Sequence, residues 1–104
     1  MILIQMSFDA APEARDEVIQ LTRRVTDATL QEDGCVLYRF TTDLQLTNRF
    51  VLTELWESED ALMAHFEGEA FKAFWAELPP GGAPVDFTGW QGPLVPYQPP
   101  NVAE

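Results

Sequence analysis

Phe50-Val-Leu-Thr-Glu54-Leu-Trp56-Glu-Ser58-Glu-Asp-Ala61-Leu62-Met-Ala-His65-Phe66 changes its hydrophobic period halfway along. Up to Trp56 the side chains alternate. Phe50, Leu52, Glu54 and Trp56 share one face and Val51, Thr53 and Leu55 the other, which is the period of a strand. Ser58 then reads as an N-cap, with Glu59 and Asp60 in the first turn, and Ala61, Leu62, His65 and Phe66 recur at helical spacing. A strand running over 49–56 thus feeds directly into a helix, and the stripe of that helix carries the chain's single histidine.

Working outward, Ile2, Ile4, Met6 and Phe8 alternate with Leu3, Gln5 and Ser7, a first strand. Pro12 suits a first helical position, and Val18, Leu21, Val25 and Ala28 form one stripe, so a helix is expected over about 12–31, with Gly34 in the turn after it. Cys35 to Thr42 reads as a second strand, with Val36, Tyr38 and Phe40 on one face. Beyond Phe66, Gly68 weakens the helix, and Phe71, Phe74, Trp75 and Leu78 continue it. Pro79 to Pro84 is a loop, and Val85 to about Leu94 a fourth strand. The order β-α-β-β-α-β predicts a ferredoxin-like α+β fold: a four-stranded antiparallel sheet with two helices on one face. Residues 1–95 form the domain, and 96–104 a Pro-rich extended tail.

Strands one to three are apolar on both faces, and two helices cover only one. The uncovered face is expected to meet a second copy, giving a homodimer with two sheets face to face. The chain has 104 residues, enough for one core. Six Lys and Arg against 17 Asp and Glu give a net charge of −11, which excludes a basic nucleic-acid footprint and disfavours anionic membrane surfaces. One cysteine, Cys35, permits no internal disulfide, so a reducing compartment, the cytoplasm, is expected. With one histidine besides, no Cys/His metal cluster is expected. No signal peptide or membrane span is read.

Gly34-Cys-Val-Leu-Tyr-Arg-Phe40, followed by the 50–66 stretch, resembles the antibiotic biosynthesis monooxygenase domain family. Its members share a Gly-x-x-x-Tyr second strand, a Phe-x-x-x-Glu-x-Trp third strand, and a helix opening Ser-x-x-Ala-Leu and carrying a His. The resemblance implies a dimeric α+β barrel. It also implies an activity among several: quinone-forming or quinol-oxidising oxygenases that use no metal or flavin, haem-degrading enzymes, or an isomerase of a phosphorylated sugar derivative. The haem-degrading members resemble one another in an Asn, a Trp and an axial His. Aligned through Trp56-Glu-Ser58, those positions fall near Ser7, on His65 and on Trp75, and all three differ. A phosphosugar needs cations, and only Arg39, Arg49 and Lys72 lie outside the first helix. The expected function is a cofactor-independent monooxygenase acting with O₂ on a quinol-like or polycyclic phenolic substrate. The alternative is a non-catalytic small-ligand-binding or stress-related protein of the same fold.

Such an oxygenase needs an apolar cavity, a proton acceptor near the phenolic oxygen and exclusion of water. His65 titrates near neutrality without help and faces the sheet, so it is either the base or hydrogen-bond partner of the substrate, or a packed histidine bonded to a backbone carbonyl or Glu54. Glu54, among Phe50, Leu52 and Trp56, is expected to have a raised pKa and either orients His65 or pairs with an arginine of a neighbouring strand. Tyr38, Trp56, Phe66, Phe71 and Trp75 are expected to line the substrate pocket, with ordinary core packing as the alternative reading of Tyr38 and of the helical aromatics. No cofactor or metal ligand is expected.

Overall fold

The alternating segments form four antiparallel strands in a computed structural model that describes residues 1–95 and 97–100. These are β1 (Ile2–Asp9), β2 (Cys35–Thr42), β3 (Arg49–Trp56) and β4 (Ala83–Gln91), in the order β2-β3-β1-β4 across the sheet. Three helices, α1 (Arg15–Thr29), α2 (Glu59–Glu67) and α3 (Glu69–Glu77), connect them. Val18, Leu21 and Val25 of α1 and Phe74 of α3 join Ile4, Phe8, Phe50 and Leu52 in one buried core, so the helical layer lies on that face of the sheet. The fold is the ferredoxin-like α+β arrangement read from the sequence. Positions 96 and 101–104 of the expected tail lie outside the described residues, and residues 97–100 form no helix or strand.

Local departures have physical causes. Neither Ala11 nor Ala14 has a side chain that can cap a helix, and Pro12 has no N–H, so Pro12–Ala14 tightens into a 3₁₀ turn and α1 begins at Arg15. The second helix is divided into two. Gly68 takes an extended ψ of 159°, ending α2 and opening α3, while its N–H donates to the His65 carbonyl at 3.0 Å. Val36 is not buried with Tyr38 as expected: the β2–β3 register slips between Cys35 and Leu37, and Val36 is 47% exposed. The fourth strand spans 83–91 instead of 85–94; it lies at the sheet edge, where Pro84 is tolerated.

The register sets out two faces. On the helix side, Tyr38, Glu54, Ile4 and Gly89 lie side by side across the four strands, and Phe40, Leu52, Met6 and Phe87 form the next row. On the opposite side, Leu37, Leu55, Leu3 and Trp90 make a continuous apolar row, with Trp90 51% exposed. Among the described residues no helix is long and apolar enough to cross a membrane.

Candidate active site

Tyr38 and Glu54 of the first helix-side row, Phe40, Leu52 and Met6 of the second, and Phe8 form the floor of a cavity of ≈ 250 Å³. Phe66 of α2 and Phe71, Phe74 and Trp75 of α3 cover it, and Phe87 closes the β4 side. The break at Gly68 leaves Phe66 and Phe71 with ring centroids 5.0 Å apart, tilted by 55°, and Trp75 continues the wall 6.2 Å from Phe71. Phe40 and Phe74 meet at 5.7 Å on the far side. Flat, apolar walls of this kind suit an aromatic ring.

Two polar side chains interrupt the lining, Glu54 and Tyr38, neighbours in the β2–β3 register. Glu54 is buried, and its Oε1 accepts a hydrogen bond from the Trp56 indole Nε1 at 2.9 Å. Burial raises the Glu54 pKa above the ordinary carboxylate value; the indole hydrogen bond and His65 oppose that shift, and the nearby Glu32 charge adds to it. Burial, reinforced by the Glu54 charge, pushes the Tyr38 phenol strongly up, so it keeps its proton, and its hydroxyl lies beside Thr29 at the end of α1. Cys35, at the start of β2, is pushed up to about 11 by burial and by the charges of Glu32 and Glu54.

His65 lies behind Glu54. Ser58 caps α2 by accepting from the Ala61 N–H at 3.2 Å, and the helix that follows places Leu62 and His65 one turn apart on its buried side. The imidazole is 1% exposed, packed between the rings of Trp56 and Phe71 at 4.8 and 5.3 Å. Its Nδ1 is 2.8 Å from Oε1 of Glu32. A carboxylate accepts, so Nδ1 carries the hydrogen towards Glu32. Nε2 points towards Glu54 Oε1, 4.0 Å away, and has no hydrogen-bond partner among the described residues. The carboxylates sit at opposite nitrogens of the ring, and among the described residues no three metal-capable side chains converge.

Of the residues singled out in the sequence, Glu54, Tyr38, Phe66, Phe71 and Trp75 line the cavity. Trp56 does not: it is fully buried and holds Glu54. His65 does not line it either; it backs Glu54 from behind. Of the two expected partners of Glu54, His65 faces it at 4.0 Å without a hydrogen bond, and no arginine meets it among the described residues. Glu54 pairs with an indole, and the acid that orients His65 is Glu32. Glu32 and Phe87 were missed. Gly34 is the signal that leads to Glu32: its φ of +82° turns the chain after α1, and a Cβ there would stand 2.5 Å from that of Ala61. That close approach seats the turn on the first turn of α2, within reach of His65. Phe87 becomes visible only once β4 is paired opposite Met6.

A four-stranded antiparallel sheet with helices packed on one face and an aromatic-lined cavity between the layers places the chain in the ferredoxin-like α+β class. The chain belongs to the antibiotic biosynthesis monooxygenase family, whose model matches residues 1–77. YcnE of Bacillus subtilis (strain 168), named as a candidate monooxygenase, is 29% identical over 77 residues, 74% of this chain and 81% of YcnE. A crystal structure of an antibiotic biosynthesis monooxygenase is 28% identical, with a TM-score of 0.78 over 92% of this chain and all of that one (100%). A candidate antibiotic biosynthesis monooxygenase of Deinococcus radiodurans superposes with a TM-score of 0.82 over 94% of this chain and 98% of that one. At 24% identity it shares the fold.

Proposed function

We propose that the protein is a monooxygenase that oxidises a one- or two-ring quinol-like phenol with O₂, without a metal or flavin. The observation that carries this reading is the Glu54 carboxylate, buried in the wall of a largely aromatic cavity. A phenol has a pKa near ~10, far above an ordinary glutamate at ~4.3, so an exposed carboxylate is a poor base for it. Burial raises the Glu54 pKa and narrows that gap. The cavity's ≈ 250 Å³ lies just below the range of about 300–1,000 Å³ that holds drug-sized ligands, which favours a small ring system over a large polycycle.

In this reading Glu54 accepts the phenolic proton, and the aromatic walls, the Tyr38 ring among them, hold the resulting anion. The quinolate is electron-rich enough to reduce O₂ itself. One oxygen atom enters the ring and the other leaves as water, so quinol and O₂ give hydroxyquinone and H₂O. The substrate loses four electrons and O₂ gains four. The protein acts as a homodimer through the Leu37–Leu55–Leu3–Trp90 row, an apolar strip of the kind that a second copy would cover. The test is oxygen uptake with a naphthalenediol prepared under anaerobic conditions. Saturable uptake well above the enzyme-free autoxidation rate is expected. Binding without added uptake would leave a ligand-binding protein and refute the oxygenase.

A further inference from the structure

His65 stands between the Glu54 wall of the cavity and the surface. On the outer side of the imidazole an open cleft runs between the turn after α1 and the start of α2, lined by Glu32, Asp33, Gly34, Glu57, Asp60 and His65 among others. Glu32 stands at the boundary: its side chain is partly exposed to the cleft, yet one oxygen is 2.8 Å from the buried Nδ1. On the inner side, the unpartnered Nε2 is aimed at the carboxylate that walls the cavity. Glu32, the two ring nitrogens and Glu54 therefore stand in series from solvent to cavity.

We propose that Glu32, His65 and Glu54 form a proton relay between the cavity and the surface cleft. This rests on the proposed oxidation only in taking a phenol as the proton donor. A phenol seated at Glu54 gives its proton to the carboxylate. A side-chain rotation of Glu54 that closes the 4.0 Å gap passes a proton to Nε2, while Nδ1 releases its own to Glu32. The ring changes from the Nδ1–H to the Nε2–H tautomer, and one proton reaches the cleft for each one that leaves the phenol. Turnover of quinol and O₂ to hydroxyquinone and water is proton-neutral, so the relay returns the proton when the second oxygen leaves as water.

The titratable groups that face the ring are Glu32 from the turn after α1, Glu54 from β3, and Tyr38 from β2, with Cys35 of β2 close to both carboxylates. α3 presents the Phe71 ring, and Asp33, Glu57 and Asp60 share the outer cleft. Tyr38 and Cys35 hold their protons at neutral pH, which leaves the two carboxylates as the ring's exchange partners. Either carboxylate alone could fix a histidine in place; one facing each nitrogen gives the ring an acceptor on one side and a donor within a side-chain rotation on the other. Glu32 and His65 are positioning and relay groups here, because neither touches the cavity.

His65 is the chain's only histidine, so its imidazole nitrogens can be read alone by ¹⁵N NMR. Free wild-type protein is expected in the Nδ1–H form, and saturation with 2-naphthol, which lacks the second hydroxyl of a quinol, should protonate Nε2. The same addition to Glu54→Gln should leave the ring unchanged. In turnover with a naphthalenediol, Glu32→Ala is expected to slow kcat about tenfold or more, with formate restoring it from the cleft. Loss of rate without formate rescue would make Glu32 a structural support and overturn the relay, as would an Nε2 unaltered by naphthol. A protonated Nε2 in a protein that consumes no oxygen would sustain the relay and refute the oxygenase. An active enzyme with unchanged Nε2 and a wild-type rate in Glu32→Ala would do the opposite.

Discussion

Glu54→Gln should make the protein more stable and less active at the same time. Glutamine keeps the shape and still offers an oxygen to the Trp56 indole, so the 2.9 Å hydrogen bond survives. The substitution removes the titration. Because burial holds the Glu54 pKa above its unfolded value, the native state binds that proton more tightly than the unfolded chain does. Its contribution is fully present below the ordinary carboxylate pKa and is lost as the pH rises through the raised value. Each unit of elevation costs about 1.4 kcal/mol at any pH above both values. Glutamine escapes that cost, and in a domain of this size each kcal/mol moves Tm by roughly 4–8 °C. The assay is thermal unfolding of both proteins from pH 3 to pH 8. Relative to wild type, Glu54→Gln should gain stability progressively with pH, while oxygen uptake falls by about 10²–10⁴-fold, the usual span for a general base. A stability difference that stays flat with pH would refute the raised pKa, and an unaltered rate would refute the base.

Three further outcomes follow from particular contacts. Gly34→Ala forces φ +82° on a residue with a Cβ, costing about 1–3 kcal/mol, and drives that atom into Ala61; Tm should fall by several degrees and the Nδ1–H signal of His65 should weaken with it. Cys35, with its thiol pushed up to about 11, should react with maleimide at pH 8 some ~10²-fold more slowly than a free cysteine of pKa ~8.5, and the rate should climb tenfold per pH unit; rapid labelling at pH 8 would contradict the burial argument. Leu55→Lys places a charge in the middle of the apolar row Leu37–Leu55–Leu3–Trp90, so the proposed dimer should weaken by at least ~100-fold, about 2.7 kcal/mol, in sedimentation equilibrium, with far-UV CD unchanged.

The strands were legible because each is a clean period-two alternation: every strand read in the sequence is present, and the switch at Trp56–Ser58 fixes where β3 hands over to α2. Local geometry hid the rest. Nothing in Cys35-Val-Leu marks the bulge that leaves Val36 exposed, because a bulge depends on how the partner strand pairs. Gly68 showed itself as a weak point, but whether glycine bends, breaks or merely loosens a helix depends on what lies beneath it. At the site, the aromatic lining and Glu54 could be read from single-element periodicity. The partner of His65 could not. Glu32 is 33 residues away, on a turn whose position is set by the contact between Gly34 and Ala61. Trp56 was mistaken for a lining residue because a side chain on the right face can lie beneath its neighbour rather than beside it.

The central claim is that this chain inserts an oxygen atom from O₂ into a quinol held against Glu54. Turnover of a naphthalenediol under ¹⁸O₂, read by mass spectrometry, tests it most directly. The account predicts a hydroxyquinone carrying one ¹⁸O, a second ¹⁸O in water, and loss of both products with Glu54→Gln. Quinone without incorporated label, formed at the same rate with and without the protein, would contradict it.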